Sequence, residues 1–73
     1  MIKNFDTAKQ VSELMLDIGA RLNQSVFLVQ ERSSAEEFGL YRRAVAGIMG
    51  EILLEVLNPL YREHAALKPD GLD

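Results

Sequence analysis

His64 is the single histidine of the chain and stands in Tyr61-Arg62-Glu63-His64. An imidazole can move a proton or hold a metal, but either task needs several convergent groups. The Glu-x-x-His spacing by which helical bundles bind iron is missing, because the residue three before His64 is Tyr61. The expectation is a solvated imidazole near a helix C-terminus, where positive charge is favoured. Glu51 and Glu55 lie one helical turn apart, a spacing that allows paired-carboxylate chemistry. They share the polar side of their helix with Glu37, so a solvated acidic face is expected instead. Arg42-Arg43 is the main basic cluster. Arg43 should face solvent, while Arg42 borders an apolar face and is suited to pairing across an interface or holding an anion. Cysteine is absent, which excludes disulfides and thiolate metal sites. No phosphate-binding glycine loop, nucleophile elbow or zinc spacing is present. No catalytic residues, metal or cofactor are therefore expected, and the chain reads as a non-enzyme.

With no chemistry to position, the helices themselves become the informative part. Seventy-three residues make one domain. The hydrophobic fraction of 48% excludes a disordered chain. Leu and Ala outnumber the β-branched Val and Ile by two to one, which favours helix over sheet. A net charge of −3 disfavours a nucleic-acid partner. The start, MIKNFDTAKQ, does not read as a signal peptide, because no apolar run follows its Lys. Glu51 and Glu55 interrupt the most apolar stretch, so no membrane partner is expected and a cytoplasmic location is the default.

The spacing predicts an all-α chain with a helix over about 6–31 and a second over about 35–57. Asp6 or Thr7 is suited to cap the first. Ser33 with Glu36, or Ser34 with Glu37, fits the capping box that starts the second. Asn58-Pro59 should end or kink that helix, leaving a short third helix over 59–67, or a bent extension, and a tail over 68–73. A link of two to four residues between the long helices implies an antiparallel hairpin.

At about 100° per residue, Ala8, Val11, Met15, Ile18, Leu22, Ser25 and Val29 form one seam on the first helix. Leu16, Ala20 and Phe27 form a second strip. On the second helix, Phe38, Tyr41, Val45, Ile48, Met49, Ile52 and Val56 make the main face. Gly39, Ala46, Gly50, Leu53 and Leu57 lie beside it, with Arg42 at the border. Together they span an apolar arc of roughly 200°, where one core contact needs about 100°. One hairpin partner is too narrow to cover that arc. Leu16, Ala20, Phe27, Gly39, Arg42, Ala46, Gly50, Leu53 and Leu57 are therefore the candidate interface residues.

The expected function is that of a small helical interaction module that pairs with itself into a homodimeric four-helix bundle. A different protein is the other class of partner. The alternative is a bundle that binds a small apolar ligand near Met15, Met49 and the glycines. Small residues at Gly39, Ala46 and Gly50 would let a partner helix approach closely. Gly47 points to the polar side, and the spacing gives no reason for it.

Overall fold

The computed structural model describes residues 1–69 and is helical throughout, with no strand among the described residues. Helix α1 runs Phe5–Arg32. Its cap is Asn4, rather than Asp6 or Thr7. The Asn4 Oδ1 accepts from the Thr7 amide at 2.9 Å and from the Thr7 hydroxyl at 3.1 Å. One short side chain thus satisfies a free amide of the first turn and orients its neighbour. At the far end the Ser33 amide donates to the Val29 carbonyl at 3.0 Å, after which the chain leaves helical angles.

Helix α2 runs Ala35–Glu51 and begins on the expected capping box, in its Ser34–Glu37 version. The Ser34 amide donates to the Glu37 carboxylate at 3.0 Å, and the Glu37 amide donates back to the Ser34 hydroxyl at 3.1 Å. Ser33 is left to close α1. The backbone hydrogen bond from Ser34, and then the hydroxyl bond, hold the Glu37 carboxyl below its ordinary value of 4.5.

The expected third helix is not a separate element. A π-helical segment, Ile52–Leu57, continues directly from α2, and an α-helical stretch, Asn58–Glu63, continues directly from that segment. Glu51, Leu57 and Asn58 all keep right-handed helical angles, so the chain passes Pro59 without a break. The wide turn explains how. In a regular α-helix the Pro59 ring would press on the carbonyl four residues before it. Here the Asn58 amide reaches back five residues, to the Leu53 carbonyl, and the turn opens ahead of the proline. The helical run ends at His64, and a 3-10 turn, Ala65–Leu67, follows. Residues 70–73 of the expected tail lie outside the described residues.

The two helical runs turn back on one another at Ser33-Ser34. Near that turn Tyr41 and Ser25 hydrogen-bond at 2.7 Å. Ser25 directs its own hydroxyl hydrogen to the Leu22 carbonyl at 2.6 Å, which leaves Tyr41 as the donor between helices. Further along, the Met49 methyl lies 4.0 Å from where a Cβ on Gly19 would stand. At the open end the His64 Nε2 meets the Ile2 carbonyl at 2.8 Å. Each pairing lies further from the turn on both strands of the hairpin, as an antiparallel pair requires.

The buried core is small and gathers at the open end: Ala8, Ser12, Leu57, Leu60 and Tyr61. Among the described residues, Val45 is the one buried side chain nearer the turn. Of the residues expected in the core, Val11, Ile18, Leu22, Ile52 and Val56 are only half-buried. The hairpin therefore brings most of its main seams together, with Ile48 of the expected main face left 51% exposed, and no second layer among the described residues covers them.

Candidate functional site

Two grooves lie end to end along one side of the hairpin. The larger encloses about 650 Å³, and the expected residues Leu16, Ala20, Gly50, Leu53 and Leu57 line it together with Met15, Gly19 and Met49. The smaller encloses about 360 Å³ nearer the turn and is lined by Phe27, Arg42 and Ala46, with Phe38 and Val26. Asn23 and Met49 border both, so the two are one continuous trough. Eight of the nine expected interface residues are brought to this trough; Gly39 lines neither groove.

The trough is apolar and uncovered. Phe27 is 59% exposed, Leu16 40% and Leu53 38%. Leu57 differs from the expectation of an open strip, because it is buried at 5% and forms the floor. The π segment accounts for this. Counting about 100° per residue from Val45, a straight helix would turn Val56 and Glu63 inward. The wide turn adds a residue to the helix, and Leu57, Leu60, Tyr61 and half-buried His64 take the inward positions.

Glycine leaves the second helix open on several sides. A Cβ at Gly39, Gly47 or Gly50 would meet nothing within 4 Å. The glycines are therefore not needed for packing inside the hairpin. Gly47, unexplained by spacing, lines a third groove of about 590 Å³ with Ile48, Glu51 and Glu55 on another flank of the helix.

The polar groups are sparse. The Arg42 guanidinium lies over the Phe38 ring at 5.8 Å from its centre, a stacking that holds the cation at the edge of the smaller groove. Glu51 and Glu55 are exposed. His64 is not the solvated imidazole expected of it. It is half-buried, packs edge-on against Phe5 at 5.6 Å between centroids, and donates to the Ile2 carbonyl. Periodicity missed this role because His64 follows the π turn. It also left Leu28, Leu40 and Leu54 unassigned, and Leu14, expected to broaden the seam of the first helix, is exposed instead; all four lie away from the trough.

The helical run Ala35–Glu63 contains an 18-residue window of mean hydropathy 1.3, 22% of it buried in the hairpin. That meets the minimum length and composition for crossing a membrane, a test that core helices of soluble proteins also pass. Comparison with family models, with curated proteins and with solved structures gives no match.

Proposed function

We propose that this protein is a non-enzymatic helical interaction module whose trough is covered by a second copy of the chain, giving a homodimeric four-helix bundle in the cytoplasm. The observation that carries the reading is the amount of uncovered surface. A compact monomer of 8.2 kDa exposes about 4500 Å², whereas this hairpin exposes 5478 Å². Its radius of gyration is 14.5 Å, against about 11 Å for a compact chain of this length. The excess is close to the roughly 800 Å² that each partner buries in a standard interface.

The occupant is read as protein rather than lipid because Glu51 and Glu55 stand within the most apolar part of the second run. A charged side chain at the centre of a bilayer costs about 2.5–3.5 kcal/mol on insertion scales. A four-helix bundle leaves both carboxylates at its wet surface.

Multi-angle light scattering at micromolar concentration tests the reading. A dimer mass is expected, with a melting temperature that rises with protein concentration, because a partner that binds only the folded chain stabilises it. A clean monomer mass would overturn it. A second reading rests on the larger groove. Its volume of about 650 Å³ and its Met15 and Met49 walls suit a small apolar molecule. Thermal stabilisation of a monomer by an apolar dye would favour that reading.

A further inference from the structure

A two-fold dimer makes a demand that a mixed partner does not. If residue i of one copy meets residue j of the other, then j must also meet i. The line through Ala20 on α1 meets that demand. Lys9 and Glu31 each stand 11 residues from Ala20, on opposite sides of it. Eleven residues are close to three full turns, so all three lie within about 20° of one face. Each charge is about 16 Å along the axis from Ala20. Glu13 and Phe27 repeat the pattern at seven residues each way, two turns, again on that face. At the centre the side chains are small, with Ala20 on one helix and Gly50 on the other, both on the larger groove.

The charged members of this line are unused inside the hairpin. Lys9, Glu13 and Glu31 are exposed and make no ion pair among the described residues. Among the described residues Arg42 is engaged only with the Phe38 ring.

We infer that two copies pack trough to trough, the turn of one against the open end of the other, about a two-fold axis at the level of Ala20 and Gly50. The inference rests on the dimer reading above and adds its geometry. In this arrangement Lys9 of each copy faces Glu31 of the other. Phe27 of each copy lies level with Glu13 of the other and within about one turn of Leu16, over the wide part of the larger groove. Arg42, beside Phe27, lies level with Glu13 of the second copy and is near enough for its long side chain to reach it. Lys9 and Glu31 stand at equal distances from Ala20 and carry opposite charges, so they face one another across a two-fold only when the copies run antiparallel. That is why the partner is a second copy rather than an unrelated apolar helix.

Single-cysteine variants test the geometry, since the chain has no cysteine of its own. Ala20 sits on the inferred axis and would face its own copy, and a disulfide needs Cα atoms about 4.4–6.8 Å apart. Ala20→Cys should oxidise rapidly to a covalent dimer, and Gly47→Cys, on the other flank, should not. Charge reversal gives a second readout. Lys9→Glu alone, or Glu31→Lys alone, should weaken the dimer roughly tenfold at low salt by placing like charges at both ends. The double variant should restore it. A dimer by light scattering in which Gly47→Cys cross-links and Ala20→Cys does not would overturn this geometry while leaving self-association intact. A dimer in which the double reversal fails to rescue the single ones would overturn it as well. A monomer in every variant, and in the unmodified chain, would overturn the geometry together with the dimer.

Discussion

The open end of the hairpin and its middle are built from similar residues and finished differently. At the open end, Leu60 and Ala8 are completely buried and Tyr61 nearly so, and His64 ties the helical run to the strand of chain before α1. In the middle, Leu16, Phe27, Ile48 and Leu53 remain well exposed. Composition does not separate the two regions; a third layer does. Residues 1–4 and residues 58–69 close the open end, and nothing among the described residues covers the trough. A pair of helices alone half-buries its facing seams, and full burial needs a further element.

Leu60→Ala should break the comparison most forcefully. It removes a fully buried side chain and should cost about 2–5 kcal/mol, read as a fall in denaturant midpoint. Leu16→Ala in the trough should cost the isolated hairpin far less. If the two variants were equally destabilising in dilute solution, the distinction between the regions would fail.

Gly50 probes the trough from the other direction. Gly50→Leu at a close helix crossing should overpack and weaken the assembly by about 1–3 kcal/mol. Gly50→Ala in an uncovered hairpin should instead stabilise by about 1 kcal/mol through helix propensity, because its Cβ meets nothing within 4 Å. A Gly50→Leu variant with an unchanged melting temperature and mass would place the contact elsewhere.

The turn should be of intermediate importance. Ser34→Ala removes one half of the capping box and should cost about 1 kcal/mol. At the open end the Tyr61 hydroxyl is buried without a hydrogen-bond partner among the described residues. Tyr61→Phe should therefore be neutral or stabilising by about 1 kcal/mol in thermal unfolding.

The smallest effect is the pH response of Glu37. Its carboxyl is held below 4.5 by the Ser34 bonds. Its contribution is fully present above the unfolded value and fades as pH falls through the lower folded one. Glu37→Gln should flatten that part of the acid stability curve. An unaltered curve would mean the capping bond carries no charge dependence.

Much of the architecture was legible from spacing. Two periodic stretches and the Ser34–Glu37 signature located both long helices and the turn, because capping chemistry is local. Leu16, Ala20 and Phe27, grouped by spacing into one strip, share the trough for a similar reason, since they lie on one face of a regular helix. The cap at Asn4 was missed because Asp6 and Thr7 offer equivalent oxygens, and the choice depends on where the chain enters. The burial of Leu57 and the inward turn of His64 were missed because constant angular steps fail across a π turn. How deeply each seam is buried was also beyond reach, since that depends on what else covers it.

The π segment Ile52–Leu57 also has a consequence for chain length. A wide turn of this kind is topologically one residue inserted into an α-helix, with the surplus absorbed locally. Leu54, 65% exposed, is the most exposed large hydrophobic residue of the segment. Deleting it should collapse the wide turn to a regular one. Val45 upstream and Leu57, Leu60 and Tyr61 downstream would keep their present faces, while Pro59 would meet the carbonyl it now avoids. The same deletion in the middle of α1 would turn every later side chain by about 100° and scramble the hairpin. The hairpin should therefore tolerate a lost residue at this one place, at the cost of a kinked helix rather than a lost fold.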